Sequence, residues 1–152
     1  MWQMLKIVLV SALPISELRG AIPLALFVYR LSPYLTYGLA ILGNILPIFF
    51  LLWFWKTASD YLMKKSSFFN KLFSWLFQRT RNKAEKKFAI YGKLALILFV
   101  AIPLPFTGAW TGSIAAYLFK VPYWQAVSLI FIGILIAGLL ITLSSLGIIC
   151  LI

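Results

Sequence analysis

Two stretches of this chain are too apolar and too long to belong anywhere but a bilayer. Residues 33–55, "PYLTYGLAILGNILPIFFLLWFW", and 122–150, "PYWQAVSLIFIGILIAGLLITLSSLGIIC", carry no charged side chain. Each exceeds the ~20 apolar residues that cross a hydrocarbon core as a helix. The rest of the chain agrees. Of 152 residues, 63% are hydrophobic and 11% charged, and the mean hydropathy is +1.00. A soluble domain of this length could not bury so much apolar surface. The sequence therefore predicts an all-α integral membrane protein, multi-pass, with residues 1–152 forming a single membrane domain. Lys6 and the run "IVLVSALP" look like the start of a signal peptide. Pro14 and Glu17 stand where a small-residue cleavage site would be needed, so the segment is expected to be retained.

Charge divides the chain. Ten of its 14 Lys and Arg residues lie between Lys56 and Lys93, flanked by apolar blocks. The positive-inside tendency puts this basic segment in the cytoplasm of a cell bounded by its inner membrane. Trp53 and Trp55, just before Lys56, fit an interfacial belt. Pro47 marks a candidate kink in the first span. Gly133, Ala137 and Gly138 form a small-residue stripe suited to close helix packing.

A more broken stretch precedes each span. Residues 2–31 hold Pro14, Gly20 and Pro23; residues 94–119 hold Pro103, Pro105, Gly108 and Gly112. Proline removes a donor and clashes with the preceding turn. Such spacing favours a helical hairpin that enters the membrane and leaves on the same side. Non-helical backbone at that depth is tolerated only inside protein or beside a cavity. A shift of 89 residues lays Ala12 on Ala101, Pro14 on Pro103, Pro33 on Pro122 and Tyr34 on Tyr123. The chain thus reads as a duplication: repeat 1 at about 2–55, a basic linker at 56–93 and repeat 2 at about 94–152. One crossing per repeat makes the two repeats inverted, each a re-entrant hairpin followed by a transmembrane helix. Both termini then lie outside. A rival topology of four full spans puts both termini in the cytoplasm and stays open, because 5–31 and 94–119 are long enough to cross.

Within the linker, Phe69, Leu72, Phe73, Leu76 and Phe77 recur at helical spacing. This reads as an amphipathic helix on the inner leaflet, in contact with anionic headgroups. Membrane context accounts for the aromatics beside cations, so no nucleic-acid partner is expected.

Only one acidic residue, Glu17, lies outside the basic segment, and Arg19 is two residues away. A charge at the bilayer centre costs about 2.5–3.5 kcal/mol on insertion scales. In a regular helix, positions i and i+2 face apart. At a broken hairpin tip both can point into one wet cavity. Arg19 would then attract an anionic group, with Glu17 as a proton-coupling or counter-charge site; a structural Glu–Arg pair at a surface turn is the plainer alternative. The second hairpin, "IPLPFTGAWTGSIAA" at 102–116, has no charge. Thr107 and Thr111 offer hydroxyls, and Gly108 and Gly112 permit close approach. Gly20 completes the candidate substrate-binding set of Glu17, Arg19, Gly20, Thr107, Gly108, Thr111 and Gly112. Asn44 is a candidate for an interhelical hydrogen bond. With no His and one Cys, the chain lacks Ser/His and Cys/His pairs and Cys/His zinc sites. No metal, cofactor or enzyme activity is expected.

Together "PISELRGAIPLAL" (14–26) and "IPLPFTGAWTGSIAA" resemble the putative small multidrug export proteins, over nearly the whole chain. That resemblance implies a transporter exporting or flipping a small amphipathic, potentially anionic, substrate. A more distant similarity is to DedA-like membrane proteins, which implies opposed re-entrant hairpins and movement of polyprenyl-phosphate lipid carriers. The DedA pattern has arginines in its second hairpin, and residues 102–116 have none, so only Glu17 and Arg19 carry over. A non-transporting scaffold that binds anionic lipid is the alternative from another class. A dimer is expected, since two spans per chain enclose little space.

Overall fold

The computed structural model describes residues 2–65, 85–103 and 108–151. Every regular element among them is helical. Helix α1 is Trp2–Ala12, and α2 is Glu17–Pro23, continued by a π-helical turn at Leu24–Val28. Helix α3 is Pro33–Lys65, α4 is Glu85–Ala101, α5 is Ala109–Leu118 and α6 is Tyr123–Leu151. Two short helices precede one long helix, twice. Thr107 lies outside the described residues, as do the amphipathic positions Phe69 to Phe77.

The breaks fall where backbone chemistry puts them. Pro14 follows α1 and closes it. Pro23, inside α2, has no N–H for the carbonyl four residues back, and the helix widens immediately after it. There Tyr29 N–H donates to Leu24 O at 3.2 Å and Leu31 N–H to Ala25 O at 3.0 Å. Arg30 then adopts φ 50°. Lys120 does the same after α5, at φ 52°. Its N–H donates to Tyr117 O at 3.0 Å and that of Val121 to Ala116 O at 2.9 Å, which is the Schellman pattern. A non-glycine residue there costs roughly 1–2 kcal/mol. The cation offsets part of this, because a helix C-terminus favours positive charge.

The long helices contain the two spans. Pro33–Trp55 is 23 residues long and contains an 18-residue window of mean hydropathy 2.0; Tyr123–Ile148 is 26 long and contains one of 2.8. Pro33 opens α3, where its missing N–H costs nothing. Helix α3 continues through Pro47 and past Trp55 into the basic segment, with no glycine or proline from Lys56 to Lys65 to stop it. Helix α4 likewise begins at Glu85, inside that segment.

Tyrosines set the direction of α3 against α6. Tyr37 OH donates to Leu135 O at 3.0 Å, and Tyr123 OH to Phe49 O at 3.1 Å. Moving forward along α3 from 37 to 49 moves backward along α6 from 135 to 123, so the two long helices are antiparallel.

Packing relies on small residues, as it must where lipid tails remove the hydrophobic drive between helices. Helix α1 lies on α3 and α4 on α6, while α2 and α5 each touch both long helices. A Cβ on Gly43 would run into Val8 O and come within 2.9 Å of Ser11 Cβ. A Cβ on Gly133 would come within 2.6 Å of Val100 Cβ. One glycine per long helix therefore lets a short helix approach at backbone distance. Gly138 packs on the Tyr37 ring, so at least Gly133 and Gly138 of the α6 stripe serve packing.

Polarity is turned inside out. Thr36, Asn44, Ser113 and Thr142 are buried, whereas Leu42, Leu46, Phe50 and Trp53 are exposed along one side of α3. A soluble monomer does not expose such a stripe. Lipid solvates it, and the chain is a membrane protein.

Candidate functional site

The site begins with a strained acid. Glu17 opens α2 at φ 43°, held by its N–H donating to Leu13 O at 3.0 Å. This left-handed kink breaks helical phase after the 13–16 turn. Its carboxylate turns inward, and the residue is 7% exposed. Strained backbone at a buried ionisable group is a common mark of function.

The carboxylate lies against Gly108, 91 residues later (108 − 17). A Cβ there would overlap Glu17 Oε2 and sit 2.7 Å from the carboxyl carbon. Gly108 also adopts φ 144° and ψ −166°, a conformation only glycine takes easily. Space and backbone thus both require glycine. Gly108 offers no side chain to cap α5. Glu17 does so from the other half of the chain: Trp110 N–H donates to Glu17 Oε1 at 3.4 Å. A carboxylate suits the positive end of a helix. Trp110 Nε1–H donates to Ala12 O at 3.2 Å, which serves a carbonyl at the last turn of α1. The two broken regions therefore meet through residues 12, 17, 108 and 110.

A small cavity opens beside this contact. Glu17, Arg19, Asn44 and Gly108 line it, with Val100 and Ile134 among its apolar walls. Arg19 is half-buried and close enough to act electrostatically on the Glu17 carboxylate. Asn44 is 1% exposed, and its Oδ1 has no hydrogen-bond partner. A buried, unpaired amide oxygen is costly, typically ~1–3 kcal/mol, and needs a donor such as water or a bound group. The cavity measures about 10 Å³, room for about one water molecule. This is a tight arrangement: a carboxyl group, a guanidinium and an amide around a space too small for an organic molecule.

The other candidates separate. Gly20 packs against Ser16, 2.9 Å from where its Cβ would be. Thr111 Oγ1 donates to Gly108 O at 3.3 Å, within its own helix. Gly112 admits Val100, whose Cγ2 would be 2.5 Å from an added Cβ. The structure thus brings together Glu17, Arg19 and Gly108. It adds Asn44, and Trp110 as the donor that ties the halves. Asn44 had a signal: it is the sole amide between residues 33 and 55. Nothing in the sequence marked the Trp110 main-chain N–H.

No curated protein and no solved structure matches the chain. The family model described as "putative small multi-drug export protein" does match, over residues 17–140, from the strained glutamate through most of α6. That span takes in every residue of the cavity except Ile141, and the chain belongs to this family.

Proposed function

We propose that the protein is a membrane transporter that exports or flips a small amphipathic substrate, with Arg19 receiving its anionic group and Glu17 supplying the exchangeable counter-charge. One observation carries this reading: Glu17, Arg19 and Asn44, whose buried oxygen has no partner, line one cavity between the two halves of the chain. A scaffold bound to headgroups would have no need to bury them there. The tight cavity is then one state of a cycle, and substrate enters when the 17–108 and 12–110 contacts part.

Inverted topology supports alternating access. Helix α1, at 11 residues, extends about 16 Å and α5, at 10, about 15 Å, roughly half of a bilayer core. Helix α4 is longer, at 17 residues, but its apolar part is only Gly92–Ala101, and apolar arms this short suit re-entrant hairpins better than full spans. Antiparallel α3 and α6 suit one crossing in each direction. The basic segment then lies in the cytoplasm and both termini outside, and a homodimer supplies further walls. No catalytic step is proposed.

The test is transport in proteoliposomes, using a fluorescent amphipathic sulfonate and a cationic dye as probes. Wild type should move the sulfonate, and Arg19→Ala and Glu17→Gln should each reduce its flux at least tenfold. Equal flux in all three proteins would remove the site.

A further inference from the structure

A larger space than the one beside Glu17 opens between α4 and α5. Ala95, Leu96 and Phe99 of α4 and Ala115, Leu118 and Phe119 of α5 line a groove of about 390 Å³ with no polar surface. That lies within the roughly 300–1,000 Å³ typical of ligand sites, unlike the 10 Å³ cavity at Glu17. Phe99 and Phe119 are exposed at its rim, while Leu96 is buried at its base.

The ends of the groove differ. Gly112 packs on Val100, which fixes the register of α4 against α5. The groove residues continue that register in antiparallel fashion, with Phe99 toward Ala115 and Ala95 toward Phe119. Lys93 and Lys120 follow at the same end, and both are exposed. Lys120 is fixed there by the left-handed turn that ends α5. An apolar channel ending in two cations matches one ligand chemistry: a hydrocarbon chain with a negative head.

We propose that this groove holds an acyl chain of an anionic phospholipid whose phosphate sits between Lys93 and Lys120. Apolar contact supplies binding without headgroup preference, and the two lysines supply the preference. Each lysine near the surface contributes about a fivefold preference for an anionic head. Assignment to the cytoplasmic leaflet rests on the proposed topology; the groove and its cations do not.

The test places a photoreactive benzoylphenylalanine at position 99, in the groove, or at 98, exposed on the neighbouring face of α4. The full chain is reconstituted in nanodiscs of equal parts phosphatidylglycerol and phosphatidylcholine, and adducts are identified by mass. The phosphatidylglycerol-to-phosphatidylcholine ratio at 99 should exceed that at 98 by at least about fivefold. In Lys93→Gln/Lys120→Gln the ratio at 99 should fall to that at 98. Continued labelling at 98 shows that the variant is folded and embedded. Equal ratios at 98 and 99 in the wild type, or a ratio at 99 unchanged by the double substitution, would overturn the proposal. Neither readout depends on Glu17 or Arg19, so its failure is distinct from failure of the transport reading.

Discussion

The main-chain N–H of Trp110 donates to the carboxylate of Glu17 at 3.4 Å, across 93 residues of chain. One half of the protein thereby caps a helix of the other. The contact is possible only because Gly108, two residues before Trp110, has no side chain.

Gly108→Ala should therefore destabilise the protein by about 2–4 kcal/mol, from backbone strain together with the clash against Glu17. Unfolding in mixed micelles measures this. Glu17→Ala should recover part of the loss in the double variant, because the clash disappears while the strain remains. Strict additivity of the two substitutions would show that the residues do not touch.

Two glycines in the long helices should respond in opposite ways. Gly43→Ala drives a methyl into Val8 O and should cost at least about 2 kcal/mol. Gly147 has nothing within 4 Å of an added Cβ. Gly147→Ala should be neutral or stabilise by up to ~1 kcal/mol through helix propensity. Thermal unfolding of both variants beside wild type checks the pair.

Asn44→Leu should separate stability from activity. The unpaired Oδ1 contributes no bond to the fold, so removing it should leave stability unchanged or raise it by about 1 kcal/mol. Sulfonate flux should drop. A large loss of stability with normal flux would make Asn44 a packing residue.

Cysteines placed singly at Gln3 and Lys83 test the topology, after Cys150→Ser. An impermeant maleimide added to intact cells should label position 3 and spare position 83 until the membrane is opened. Labelling of neither position before lysis would establish four full spans with cytoplasmic termini.

Much of the architecture was readable because prolines and charges are unambiguous in an apolar chain. Pro14 marks a break that the helices respect, Pro23 only widens α2 into a π-helical turn, and the spans beginning at Pro33 and Pro122 start where their prolines stand. The extent of α3 to Lys65 and the start of α4 at Glu85 were not readable, since charge marks where the membrane ends rather than where a helix does. At the site, Glu17 and Arg19 stood out because ionisable groups are rare in such a segment. Gly108 was visible as a gap in side-chain volume, but what fills it was not. The partner is a carboxylate 91 positions earlier (108 − 17), and no local pattern encodes that distance. Thr111 and Gly112 were grouped with Gly108 by proximity in sequence. Helical phase turns Gly112 onto Val100, and Thr111 donates to the carbonyl of Gly108.

The reciprocal tyrosine bonds limit how such a molecule can move. Tyr37 grips α6 near its middle and Tyr123 grips α3 twelve residues further along (49 − 37), so the two long helices are riveted at both ends of their overlap. Sliding shears both rivets together, and pivoting at either end breaks one of them. The long pair is thus a mast, and the short helices carrying Glu17 and Gly108 are the parts left to swing.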